Sequence, residues 1–420
     1  MKRTIKFFTL VSLGLSLPLE GMAQDWLPLY KDLHRNPELS FQEKQTGQRI
    51  ANELRALGVE VTHPIGGEGV VGVFRNGKGP TLLLRADLDA LPVQEKTGVD
   101  YASTQPGKMH ACGHDIHMTV LVGTAAKLIA EKQQWSGTLV FVGQPAEEMG
   151  GGALALLKDG LFERFPRPDY NLALHVSADL PAGSAGFVSG YAMANVDTVD
   201  VTFYGIGGHG AAPDKTIDPI VMSAQFITNI QTIVSRKLAA LTPAVVTVGS
   251  IKAGTQHNII PDTAHMELTV RSYADESRQK ILDNLQRIAN GIAIANGVAE
   301  DRMPKMNVLE TYTPSVYNDP NLTAQIKQHF SEQLGKERIF DLKPAMVGED
   351  FSRYGRVEPR IPSLMYRLGT VSPEKYKAYQ AGEISLPTLH SPHFLPDAEK
   401  TISTGIQTLS SAAFLLLKKP

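Results

Sequence analysis

The 420-residue chain holds a single cysteine, Cys112, so no intrachain disulfide can form. It carries no excess of either charge: 41 Lys and Arg stand against 43 Asp and Glu, a formal net charge of −2. Without a Lys/Arg cluster there is no electrostatic footprint for nucleic acid or anionic lipid. Beyond its N-terminus it lacks any apolar run of the roughly 20 residues that a membrane-crossing helix needs. Internal repeats and low-complexity linkers are missing as well. What remains is an ordinary globular composition, 42% apolar and 20% charged. At about 150 residues per domain the length predicts two or three domains.

The first residues read as an address. Lys2, Arg3 and Lys6 precede a short apolar run, Phe7 to Leu19, that ends at Gly21-Met22-Ala23. A basic start, a brief apolar stretch and a small-x-small exit predict a secretory signal peptide over residues 1–23. The mature protein is then expected to be exported, periplasmic or secreted, and free of the membrane. An exported protein with one thiol either buries it or employs it.

From Val70 the pattern is α/β. Val70–Phe74, Thr81–Arg85, Thr138–Gly143 and Leu172–Val176 read as covered strands, with helices over His114–Lys132 and Gly150–Gly160 between them. Such alternation predicts mostly parallel strands with crossover helices. The texture changes near Ala194. Asp197–Tyr204 alternates polar and apolar residues, as a half-exposed antiparallel strand does. A helix over Asp218–Lys237, strands over Ala244–Ile251 and Ala264–Arg271, and a helix over Asp275–Asn296 follow. The α/β texture resumes near Asn307, with a helix over Asn321–Leu334, a strand over Leu364–Leu368 and a closing helix over Ala398–Lys418. The expected architecture is an α/β domain over residues 24–193 and 307–420. An inserted α+β unit, a four-stranded antiparallel sheet with two helices, occupies residues 194–306.

Five short stretches concentrate metal-capable side chains. In His110-Ala111-Cys112-Gly113-His114-Asp115-Ile116-His117, Gly113 permits a turn that lets Cys112 and His114 converge. Thiolate and imidazole suit Zn²⁺ or similar ions. Gln144-Pro145-Ala146-Glu147-Glu148 puts paired carboxylates at the end of a covered strand, where open α/β sheets place active sites. One carboxylate can ligate while the other serves as general base. His175 ends another strand; His390 and His393 flank Pro392; Asp87 follows the strand 81–85 and would suit orienting a ligand imidazole. Any one of these has a bland structural reading. Together, three of the stretches follow predicted strands of one sheet, whose ends should converge, and the five donors Cys112, His114, Glu148, His175 and His390 point to two ions about 3.5–4 Å apart.

The blocks Arg85–Pro92, His110–His117, Gln144–Glu148, Gly207–Pro213, Asn258–Pro261, Gly348–Phe351 and His390-Ser391-Pro392 resemble the metal-dependent aminoacylase and carboxypeptidase family. Within it they resemble the branch of hippurate hydrolases and N-acyl-amino-acid and auxin-conjugate amidohydrolases. The resemblance spans nearly the whole mature chain. It implies that the α/β part is the catalytic, metal-binding domain and the inserted unit its lid. It implies metal ligation by Cys112, His114, Glu148, His175 and His390, and Glu147 as general base acting on metal-activated water. It implies two divalent ions, Zn²⁺, Mn²⁺ or Co²⁺. It implies that His209 in the lid stabilises the substrate carbonyl, commonly across a dimer interface, and that Asn258 and Arg271 hold the substrate carboxylate. His393 departs from the family pattern. The expected reaction is amide hydrolysis of hippurate-like N-acyl-amino acids, with a dipeptidase or carboxypeptidase of the same family as the alternative. A homodimer through the lid is implied. A periplasmic solute-binding protein would share export, two lobes and α/β texture, but offers no reason for Cys, His and paired Glu to converge.

Overall fold

The covered runs all form strands. Gly69–Asn76, Gly137–Gln144, Thr81–Asp87 and Tyr170–Pro181 lie in that order in an eight-stranded sheet of the computed structural model, which describes residues 25–419. The leader expected over residues 1–23 lies outside the described residues. Glu60–Ile65 completes one edge; Ser363–Val371, Ala185–Phe187 and Ile339–Asp341 complete the other. The four central strands, from Gly137–Gln144 to Ser363–Val371, run parallel, and the first two strands pair antiparallel.

Strand alternation sorts the side chains onto two faces. On one face Leu82, Leu84, Phe141, Leu174 and Tyr366 meet the helices Leu27–Arg35, Lys44–Ala56, His114–Ala130 and Ala398–Leu416. On the other, Leu83, Val140, Val142, Ala173 and Met365 pack with Leu156 and Tyr354 of the short helices Gly152–Lys158 and Ser352–Gly355. The same alternation sends Arg85, Asp87, Gln144 and His175 to the second face, near the strands' carboxyl ends.

The helix Leu27–Arg35 is tied beside the site by a buried ion cluster. His34 donates from Nδ1 to Asp115 Oδ2 at 2.6 Å and from Nε2 to Glu95 Oε1 at 3.2 Å. Burial by itself would depress the imidazole, but the two carboxylates outweigh it and lift His34 from 6.5 to about 9. For Glu95, burial is outweighed by the hydrogen bonds from His34 and the Ser103 N–H, and its pKa falls from 4.5 to about 2. Folding raises the His34 pKa, so that stabilisation is complete below pH 6.5 and is lost as pH climbs through about 9. Folding lowers the Glu95 pKa, so that part is complete above pH 4.5 and is lost as pH falls towards 2. The melting temperature is expected to drop on both flanks, and His34→Gln to flatten the alkaline one. An alkaline flank that stays as steep in the variant overturns the assignment.

The second sheet is wholly antiparallel, in the order Ala244–Ala253, Thr263–Ser272, Asn195–Tyr204 and Lys305–Val308. Val199, Val201, Phe203, Met266 and Leu268 face the helices Pro219–Thr232 and Asp275–Ala295, and the opposite sheet face is left uncovered by helices. The helix expected to reach Lys237 ends its α-helical part at Thr232 and closes with a π-helical turn, Ile233–Lys237. The reading that α/β texture resumes near Asn307 is corrected. Asn307 pairs with Asp200 in the lid's fourth strand, a four-residue segment made a strand by its partner rather than by its own pattern. Among the described residues no helix is long and apolar enough to cross a membrane.

Candidate metal centre

Two left-handed turns and one glycine aim the donors. Gly113 has φ +76°, and a Cβ there would stand 2.7 Å from Val176 Cγ2. Glycine alone takes this turn without strain, and it lets Cys112 and His114 face one point as the helix His114–Ala130 begins. Ala146 has φ +48°; its N–H is held by Glu43 Oε1 at 2.7 Å and its carbonyl accepts the Gly152 N–H. His390 has φ +65°. Non-glycine residues in this region cost about 1–3 kcal/mol each and persist where surrounding contacts enforce them. The kink at Ala146 swings Glu147 and Glu148 off the strand end towards the imidazoles.

The distances are short. Glu147 Oε2 and Glu148 Oε1 each lie 3.9 Å from His114 Nε2, and His390 Nε2 lies 3.5 Å from Glu148 Oε1. Cys112 Sγ lies 3.5 Å from His175 Nε2. His114 donates from Nδ1 to the Asp89 carbonyl at 2.7 Å, and His175 from Nδ1 to the Val176 carbonyl at 2.8 Å. Both rings therefore present Nε2 lone pairs to the sulfur. The donor atoms of Cys112, His114 and His175 fall within 4.8 Å of one another, and so do those of Cys112, Glu148 and His390. Two three-donor groups thus share one sulfur. His114 Nε2 and Glu148 Oε1 are buried and have no hydrogen-bond partner. A bound cation would satisfy both atoms, and the donor set fits a pair of divalent ions.

The electrostatics agree. Burial pushes the Cys112 thiol far above its usual range and lifts Glu148 to about 7. A cation is the physical means of keeping a buried thiolate beside carboxylates. Burial, with Glu349 and Glu148 close by, holds Glu147 well above the usual carboxylate range, where it can carry a proton.

Cys112, Glu147, Glu148, His175 and His390 line a cleft of about 510 Å³ whose walls also include Val196 and Arg271 of the lid, and the buried His114 reaches Glu147 and Glu148 from behind this lining. Asp87, expected to orient a ligand imidazole, instead accepts from His117 Nδ1 at 2.6 Å and from Arg85 Nη1 at 2.5 Å. His114 is oriented by the Asp89 carbonyl. His117 Nε2 accepts the Val176 N–H at 3.0 Å, so both its nitrogens are engaged and it has no lone pair for a metal. His209 and Asn258 are exposed and do not line the cleft; they adjoin in a small two-strand ladder, where Gly210 N–H donates to the Asn258 carbonyl at 2.8 Å. His393 Nδ1 donates to the Lys96 carbonyl at 3.2 Å and lines a separate pocket of about 170 Å³.

Sequence reasoning missed the platform beneath the donors. Arg85 is fully buried and reaches Gln144 Oε1 at 2.9 Å, Asp87 Oδ2 at 2.5 Å, Glu349 Oε1 at 2.9 Å and Asp350 Oδ1 at 3.5 Å. A lone charge inside an otherwise apolar strand was the signal.

A thiol shared between two donor groups, with a proton-carrying carboxyl next to it and a lid overhead, is the equipment of metal-assisted hydrolysis. The protein is a hydrolase of amide or peptide C–N bonds: it belongs to the peptidase family M20/M25/M40, which it matches over residues 83–409. It is 35% identical over 391 residues to N-acetylcysteine deacetylase of Bacillus subtilis, covering 92% of this chain and 96% of that one. It is 36% identical over 357 residues to thermostable carboxypeptidase 2 of Saccharolobus solfataricus, covering 84% and 88%. The fold superposes on a solved dinuclear metal binding peptidase of the M20 family from Bacillus subtilis with TM-score 0.77, 31% identity and coverage of 93% and 97%.

Proposed function

We propose that this protein is an exported amidohydrolase that cleaves the amide bond of small N-acyl-amino acids. The observation that carries the reading is the meeting of Cys112, His114, Glu148, His175 and His390 beside Glu147, in a cleft that also holds the Arg271 guanidinium. Relatives named as a deacetylase and a dinuclear metal binding peptidase support it. Export rests on the basic-apolar-small pattern of residues 1–23.

When bound, two divalent ions would supply Lewis acidity and lower the pKa of water from 15.7 towards about 7. The residues do the rest. The planar fork of Arg271 receives the substrate carboxylate. Glu147 takes a proton from water at its carboxylate oxygen and returns it to the leaving nitrogen, so that a carboxylic acid and a free amino acid leave. His209 and Asn258, exposed and outside the lining of their own cleft, would serve the cleft of a partner subunit in a lid-mediated homodimer.

The test is a turnover screen on metal-replete protein without residues 1–23. N-acetyl and N-benzoyl amino acids are expected to exceed dipeptides of the same C-terminal residue by at least about tenfold in kcat/KM, the spread one pocket contact gives. The reverse order favours the carboxypeptidase reading, which the relative from Saccharolobus solfataricus supports. Solute binding without turnover would replace both.

A further inference from the structure

We propose that the cleft selects substrates bearing a second carboxylate, and that Arg367 is the residue that selects them. The inference rests on the hydrolase reading above and specifies its substrate class.

The starting point is strand alternation. On Ser363–Val371, Leu364, Tyr366 and Leu368 enter the core under the long helices, and Met365 enters the opposite core. Arg367 falls on the Met365 side. Its Cα partner on the neighbouring parallel strand is His175, so the two side chains stand next to one another at the sheet's carboxyl end. Arg367 accordingly lines the 510 Å³ cleft on its catalytic side, together with Cys112, Glu147 and His175.

Among the described residues Arg367 makes no hydrogen bond and no ion pair, although it is largely buried. Arg271 of the lid shares this condition, but three other sheltered arginines differ. Arg85 has three carboxylates around it, Arg278 holds Asp197 at 2.6 Å, and Arg353 donates to the Tyr312 carbonyl. Glu349, whose field is the strongest carboxylate field felt by Arg367, spends Oε1 on Arg85 Nη2 and the Phe351 N–H, each at 2.9 Å; its Oε2 is buried without a hydrogen-bond partner, yet it makes no ion pair with Arg367. A partly sheltered charge without an ion pair is unfavourable, and the packing does not ask for it: two residues earlier the same strand face carries Met365. Two nearby cations would repel a guanidinium, so the metal centre is no reason for it either. The missing partner is an anion from solution.

The cleft already has one guanidinium for the substrate's α-carboxylate. Arg271, on the lid wall, also lacks an ion pair among the described residues, and its Nη1 is buried without a partner. Arg367 on the opposite wall is a second fork of the same kind. Beyond it lies a smaller pocket of about 40 Å³ that shares Arg367 and Met193 as walls and adds Lys343, room for one small anionic group. The second carboxylate can belong to the amino-acid side chain or to the acyl chain.

The experiment compares isosteric pairs on metal-replete protein: N-acetylglutamate with N-acetylglutamine, and N-succinyl-leucine with N-butanoyl-leucine. In at least one pair the acid is expected to lead by roughly 10–100-fold in kcat/KM, the range for a hydrogen-bonded charge. The pair that shows the preference identifies which end of the substrate carries the group. Arg367→Met is expected to bring that ratio within about threefold by raising KM for the acid, with metal content unchanged, and Arg367→Lys to keep part of it. Calorimetric binding of glutarate against butanoate supplies a readout free of turnover: glutarate is expected to bind at least about tenfold tighter to wild type and not to Arg367→Met. Glutarate discrimination without any amide cleavage would sink the hydrolase reading and leave this one standing. Neutral substrates leading in both pairs, or Arg367→Met lowering acid and neutral substrates alike, overturns it and returns Arg367 to a structural role beside Glu349.

Discussion

Glu147→Gln is expected to lower kcat by roughly three decades while the protein keeps its full complement of metal. General acid–base groups contribute typically about 10²–10⁴-fold. Glu147 also groups with His114 and Glu148, but those two have places in the two donor groups around the Cys112 sulfur, which Glu147 does not enter, so its amide should leave these intact. Its carboxyl, held high by burial and by Glu349 and Glu148, lines the cleft and can carry a proton there without being needed by either group around the sulfur. Metal analysis beside steady-state kinetics checks this. Near-normal turnover removes Glu147 from the chemistry, and loss of metal makes it a ligand instead. The same variant tests whether the proposed lid-mediated dimer forms. Mixed with His209→Ala, it is expected to regain activity, because a mixed dimer holds one cleft with an intact Glu147 and an intact partner histidine. Silence in the mixture removes His209 from the partner's cleft.

Arg85→Met is expected to destabilise the fold by about 3–5 kcal/mol or more. Removing one partner of a buried ion pair typically costs that much, and here Asp87, Glu349 and Asp350 all lose their cation at once. Whole domains are stable by only about 5–15 kcal/mol. Burial already raises Asp350 to about 7 with Arg85 in place. Without it the carboxyls must take up protons, so the loss should shrink as pH falls below 7. Adding Asp350→Asn should recover part of it. Urea unfolding at two pH values reads all three effects; a loss under about 1 kcal/mol would falsify the platform's role.

Much of the site was legible because its signals are local. Cys112 and His114 meet through Gly113, and the paired glutamates follow a strand that reads as covered from composition alone. Strand ends in a parallel sheet share one edge, so donors at the ends of different strands can be assigned to one place. What was illegible depends on distant partners. Arg85 and Glu349 are 264 positions apart, and no local pattern joins them. The partner of Asp87 turned on which of two neighbouring histidines the helix presents, and that is decided by Val176 on another strand. Lys305–Val308 became a strand because Val199–Thr202 offered it an edge. Both charges inside apolar strands, Arg85 and Arg367, stood in plain view, but their meaning lay in what surrounds them.

The donors that meet at the cleft, Cys112, His114, Glu148, His175 and His390, all belong to the part of the molecule built on the eight-stranded sheet, whereas Arg271, His209 and Asn258 lie within the continuous stretch 195–308. That stretch leaves and rejoins its host at neighbouring points, where the Val196 N–H meets the Thr313 carbonyl and the Ala194 N–H meets the Val347 carbonyl. The bond-breaking equipment and much of the apparatus that chooses a customer are thus separate cassettes. Exchanging the second could redirect the enzyme to a new clientele without disturbing the first.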